Sequence, residues 1–119
     1  MKLNIDNKDY WITFEYRVNH IELGGKDVPC YTTVCQIESK EFVIESLGYA
    51  HCNVNDRFIK EIGRNISLKK ALEKLYPTYA MMLAKNTTGF NEEYDIQSKS
   101  IENKQKRTLF WKAYLARKN

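Results

Sequence analysis

The feature that most constrains the fold is a strict two-residue alternation between residues 10 and 19. Tyr10, Ile12, Phe14, Tyr16 and Val18 fall on one side of an extended chain, and Trp11, Thr13, Glu15, Arg17 and Asn19 on the other. Successive strand side chains leave opposite faces, so this pattern specifies a strand with one apolar face that another layer must cover. Leu23-Gly24-Gly25-Lys26-Asp27 then supplies a glycine turn. The segment from Cys30 to Ile37, rich in β-branched and aromatic residues, reads as a second, antiparallel strand. Polar Glu38 to Glu41 turns the chain into Phe42 to Leu47, and Gly48 marks a bulge or a close backbone approach before Tyr49-Ala50-His51-Cys52. The expectation is a three-stranded meander.

Beyond Cys52 the period changes. Asn53, Asn55 or Asp56 can cap a short helix over Arg57 to Ile62, which Gly63 ends in the left-handed conformation. A second helix begins near Asn65 or Ser67, with Leu68, Ala71, Leu72 and Leu75 at the spacing of one apolar face, and Pro77 stops it. Tyr79 to Ala84 is apolar but too short to type, residues 85–97 read as a polar loop, and a last helix opens at Ser98 or Ser100 and runs to about Arg117. The fold class expected is α+β: a three-stranded antiparallel sheet followed by short helices and a long basic C-terminal helix. A chain of 119 residues, 43% hydrophobic, has material for one core, so residues 1–119 read as a single domain.

That last helix is apolar on two sides. At ~100° per residue, Leu109, Phe110, Ala113 and Tyr114 fall on one side while Trp111 and Leu115 project to the other. A second partner is required, whether a second copy of the chain, a neighbouring helix or the untyped Met81-Met82-Leu83 segment, and Trp111, Tyr114 and Leu115 are the expected oligomer or partner interface. A two-fold contact between copies is the simplest way to cover such a patch, so a homo-oligomer is expected.

Charge is distributed unevenly. Of a whole-chain charge of +4, the residues from Lys99 onward hold seven cations and one anion, leaving the first 98 residues with a net −2. A positive end attracts phosphates or an acidic protein face. Arg64, Lys69 and Lys70 lie in the helical segments that follow the sheet, and Lys104 and Arg107 in the last helix; these five are the candidate phosphate or nucleic-acid ligands. Lys104, Lys106, Arg107, Trp111, Tyr114, Arg117 and Lys118 mix cations with rings, a composition suited to nucleic-acid backbones and stacked bases.

Catalysis has little to stand on. Cys30, Cys35, His51 and Cys52 are metal-ligand types, but Cys30 and Cys35 differ by an odd number along one strand and leave opposite faces, as do His51 and Cys52. No metal or cofactor is expected, and the three cysteines read as small core hydrophobes in a reducing compartment. No nucleophile elbow, phosphate-cradling glycine loop or paired-carboxylate motif occurs, so no catalytic residue is assigned and the chain reads as a non-enzyme. No apolar run is long enough for a membrane span, and the N-terminus lacks a secretory signal pattern, which places the protein in the cytoplasm and away from membranes.

Read in order, Thr33 to Ile37, Gly48 to Cys52, Asp56 to Arg64, Lys70-Ala71-Leu72, and Arg107 with Trp111 and Tyr114 resemble a pattern found in small phage-encoded accessory proteins, over roughly residues 33–114. That resemblance implies an anti-defence role in the host cytoplasm: an anti-CRISPR-like inhibitor, or a protein that sequesters a signalling nucleotide. The expected function is a non-enzymatic inhibitor that binds a host defence nuclease or its nucleic acid. The alternatives are a sponge for a phosphate-containing signalling nucleotide and a small nucleic-acid-binding protein. The positive C-terminal third argues against acidic mimicry of DNA. Three strands followed by Lys69-Lys70-Ala71-Leu72 also look like the second half of a double-stranded RNA-binding domain, with a strand where that family has its first helix.

Overall fold

Four antiparallel strands, hydrogen-bonded in the order of the sequence, precede three helices. The computed structural model describes residues 1–39, 43–85 and 92–118, and for 92–94 the backbone alone. The strands are β1 (Lys2–Ile5), β2 (Lys8–Leu23), β3 (Lys26–Ser39) and β4 (Ile44–His51); the helices are α1 (Lys60–Leu75), α2 (Tyr79–Lys85) and α3 (Glu92–Lys118). The expected turn at Lys40 and Glu41, the strand start at Phe42, and Asn86 to Asn91 of the expected loop lie outside the described residues.

The sheet has one strand more than expected. β1 is only four residues long, too short for its Leu3 and Ile5 alternation to stand out, yet both side chains are buried. It joins β2 through Asp6 and Asn7, both at positive φ, 52° and 66°. Asp and Asn are the non-glycine residues that best tolerate that region, which a tight hairpin turn requires. The β2–β3 hairpin closes in the same way through Gly24 and Gly25, at φ 59° and 79°.

Both layers of helix lie on the sheet face that carries Tyr10, Ile12, Cys35, Ile37, Ser46, Gly48 and Ala50. α1 is continuous across Gly63, where a helix end was expected. The glycine serves close approach instead: a Cβ on Gly63 would land on the Thr33 hydroxyl, and one on Gly48 would run into the Ser67 carbonyl and the Ala71 amide. These two glycines let the helix backbone descend onto β3 and β4. Ser46 fixes the contact by donating its Oγ hydrogen to the Ala71 carbonyl at 2.6 Å. A helix-interior glycine costs roughly 0.5–1 kcal/mol in backbone entropy, and here the gain is tight helix-to-sheet packing.

α3 begins at Glu92, so the second half of the expected 85–97 loop is helical. The longer helix takes in Glu92, Glu93 and Asp95, and its charge falls from the expected excess of six to three. Arg117 and Lys118, in the last turn, match the negative end of the helix macrodipole. Phe110 and Tyr114, 0% and 1% exposed, anchor the helix on β2 through Tyr10 and Phe14, with ring centroids 5.4 and 6.1 Å apart. Asn103, also buried, donates to the Pro77 carbonyl at 3.0 Å. The second apolar side of α3 is met within the chain: Trp111 and Leu115 are partly buried against the same core.

The hairpin outruns this body. β4 ends at His51, opposite Thr32, and β1 at Lys2, opposite Trp11, with Met1 reaching Ile12. From Val18 and Tyr31 to the glycine turn the sheet is two-stranded, and the molecule extends to 56 Å in its longest dimension. Val18, Ile21 and Leu23 are 49%, 38% and 47% exposed there.

Candidate functional site

The five cations singled out in the sequence do not share one surface. Lys69 and Lys70 are adjacent on α1 and diverge by ~100°. Lys70 turns toward the β4 edge, near Tyr49, His51, Glu73 and Lys74. Lys69 turns toward α3, where its ammonium lies 5.2 Å from the centre of the Trp111 ring. Arg107 enters the same α1–α3 groove, of about 210 Å³, which Leu72, Glu73 and Thr108 complete. Its guanidinium donates to the Tyr76 carbonyl at 2.5 Å, placing a cation at the C-terminal end of α1 where carbonyls lack helical partners. Lys104 is exposed on the outer side of α3, with Lys112. Of the residues assigned to an interface, Trp111 and Leu115 are half-buried between helices and core, and Tyr114 belongs to the core itself.

Arg64 has the most specific setting. It points from α1 toward the sheet and donates to the Tyr16 hydroxyl at 2.9 Å, a hydrogen bond that also raises its pKa above the ordinary arginine value. The two residues border a notch of about 590 Å³ at the edge of the sheet, lined by Met1, Ile12, Thr13, Phe14, Tyr16, Arg64, Tyr114 and Lys118. Topology makes the notch. The Met1 ammonium donates to the Ile12 carbonyl at 3.0 Å and the Ile12 amide donates back to Met1, and among the described residues no strand pairs with this edge of β2 past Ile12. Strand alternation then turns the backbone N–H and C=O of Phe14 and Tyr16 toward the vacated edge.

The electrostatics of this notch are one-sided. Met1, Arg64 and Lys118 bring positive charge to its walls, and Lys60 lies 5.0 Å from the centre of the Tyr16 ring. Glu61 sits outside the lining and pairs with Lys118 at 2.7 Å; that hydrogen bond holds its carboxyl below the ordinary value. Two half-buried rings, Phe14 and Tyr16, supply apolar faces beside the cations, and the buried Tyr114 belongs to the core against which they pack. A concave space of a few hundred Å³ with apolar walls and a few convergent polar groups is the usual form of a small-molecule site. Arg64 was among the five cations singled out in the sequence. Phe14, Tyr16, Met1 and Lys118 were not, because their convergence depends on how β1, β2, α1 and α3 come together.

Chemistry other than binding finds less support in the geometry. Among the described residues, no group of three or more His, Cys, Asp or Glu side chains is placed to hold a metal ion. Cys35 is buried, and desolvation pushes its thiol up to about 12, so it is not a thiolate nucleophile at neutral pH. Thr32 Oγ1 and His51 Nδ1 lie 2.9 Å apart on the exposed sheet face, as cross-strand neighbours. A nucleophile and base of this kind also need a third group to orient the base, and His51 has the Tyr49 ring stacked beside it. Among the described residues, no helix is long and apolar enough to cross a membrane. Compared with models of known families, with curated proteins and with solved structures, the chain matches none.

Proposed function

We propose that this chain is a non-enzymatic binding protein that captures a phosphate-bearing nucleotide in the notch at the β2 edge and withholds it from other proteins. The observation that carries the reading is the Arg64–Tyr16 pair, which holds a guanidinium at the rim of a space bordered by the half-buried rings of Phe14 and Tyr16. The chemistry is complementary on both counts. Arginine binds phosphate oxygens in a planar fork, and base rings stack on aromatic side chains sequence-tolerantly. Lys118 and the outward amides of β2 add donors for a second phosphate or a ribose. In the anti-defence setting that the sequence resemblance implies, such a protein acts as a sponge for a signalling nucleotide.

Binding of a host nuclease or its nucleic acid is the second reading, and one arrangement favours it: Lys69 over Trp111, beside Arg107, with Lys104 and Lys112 on the adjoining surface of α3. Lys69 and Arg107 are already engaged with a ring and a carbonyl and share their groove with Glu73, which weakens their pull on a polyanion. Calorimetric titration with mono-, di- and cyclic nucleotides and with inorganic phosphate separates the two. Arg64→Gln should weaken nucleotide binding by about 10-fold or more, the worth of one charge-assisted hydrogen bond. Absence of nucleotide binding, together with salt-steep oligonucleotide binding lost in Lys69→Glu, would transfer the function to the α1–α3 groove.

A further inference from the structure

The outer edge of β2 from Thr13 to Leu23 has no neighbouring strand among the described residues; it carries the charges of Glu15, Arg17 and Glu22 but no proline, lysine or bulge in that stretch. Exposed strand edges of this length are normally blunted by several such devices or covered, and here three dispersed charges stand alone. The arm behind it is a two-stranded ribbon with three exposed large aliphatic side chains, and such ribbons are marginal in water when nothing joins them. An occupant with the same hydrogen-bonding pattern is therefore called for.

We infer that the occupant is a second copy of this chain, paired antiparallel along the same edge about a two-fold axis at Val18, so that Glu22 of each arm enters the notch of the other. Length selects this register. With Val18 opposite its own copy, Thr13 meets the partner's Leu23, so pairing fills the free edge and stops where Met1 and the glycine turn begin. An axis at Tyr16 would drive the partner's His20 into Met1, opposite Ile12. An axis at Arg17 would set two guanidiniums against each other. Parity agrees, because the even-numbered residues direct their backbone groups outward and Val18 can exchange both bonds with its copy.

Charge selects the same register independently. At the arm tip, Glu22 and Asp27 face each other across the hairpin on the side that continues the helix-covered face. The proposed pairing puts the partner's Glu22 opposite Phe14, beside the Arg64 guanidinium and the Lys118 ammonium that line the notch. An acidic tip thus meets a cationic socket, twice, as the symmetry requires. This placement makes the second copy a competitor of the notch ligand; that consequence alone rests on the nucleotide reading, whereas the pairing stands without it.

Sedimentation of the full chain over a concentration series tests the inference. The wild type should dimerise, and Val18→Pro, which removes an amide turned away from β3, should be monomeric with an unchanged far-ultraviolet spectrum. Glu22→Lys should weaken the dimer by about 10-fold or more, and Glu22→Lys with Arg64→Glu should restore it, as coupled charge pairs do. A wild type that stays monomeric at high concentration overturns the inference, and so does a dimer indifferent to Glu22→Lys. Nucleotide titration of the Val18→Pro monomer reports on the notch separately: binding there with a failed charge swap sinks the pairing alone, and a successful swap without nucleotide binding sinks the nucleotide reading alone.

Discussion

The two ends of the β2–β3 hairpin meet opposite fates: the even-numbered apolar side chains of β2 are covered at the body end, while at the arm end Val18 is exposed on that face and Ile21 and Leu23 are exposed on the other. At the body end, Ile12 pairs with Ile37 and both are buried under α1 and α3. At the arm end, Val18 pairs with Tyr31 and Ile21 with Val28, and the aliphatic side chains of β2 stay exposed. Alternation therefore fixes which side chains share a face, while burial of that face depends on how far the helices and the flanking strands reach. Phe14 and Tyr16 sit at the boundary, half-buried, and that boundary is where the notch lies.

The largest effect should come from removing the body's cover. Phe110→Ala should cost about 3–5 kcal/mol in chemical unfolding, since the ring is fully buried against Tyr10. A loss under about 1 kcal/mol would mean that α3 does not hold the sheet as described. Gly48→Ala should cost about 1–3 kcal/mol, because the added methyl meets α1 backbone that cannot yield as a side chain would. Phe14→Ala, at the boundary, should cost about 1–2 kcal/mol, less than full burial of that face would give, and a loss as large as that of Phe110→Ala would erase the contrast. Ile21→Thr, measured at concentrations where the chain is monomeric, should stay within about 0.5 kcal/mol.

Cysteines on β3 sharpen the same contrast without disturbing the fold. Cys30 lies in the half-buried arm and Cys35 in the core, so alkylation of the native protein should modify Cys30 and Cys52 and spare Cys35 until the chain unfolds. Alkaline titration gives the sign of the accompanying stability change. Folded Cys35 keeps its proton to about 12, whereas in the unfolded chain it ionises near the ordinary value of 9.0. The unfolded state then holds fewer protons, and stability falls as pH rises through that window.

Several elements were legible because one local rule decided them. The β2 alternation, the Gly24-Gly25 turn, and the face of α1 made by Leu68, Ala71 and Leu72 all appear where periodicity and turn chemistry place them. β1 escaped because four residues give too little pattern. Gly63 misled because glycine ends helices as readily as it admits a close neighbour, and only the position of Thr33 distinguishes the two. The start of α3 was hidden by polar residues that suit either a loop or the first turns of a helix.

The candidate site divides along the same line. Residue types and their order determined that the chain is α+β, that its cations gather late in the sequence, and that a helix apolar on two sides needs two partners. Tertiary structure alone decided that Trp111 is met by Lys69 of the same chain, that Arg107 serves the end of α1, and that Arg64 turns inward to Tyr16. The physical reason is range. Periodicity and turn preference act over a few neighbouring residues, whereas a guanidinium meeting a hydroxyl 48 positions earlier in the chain depends on where every element between them comes to rest.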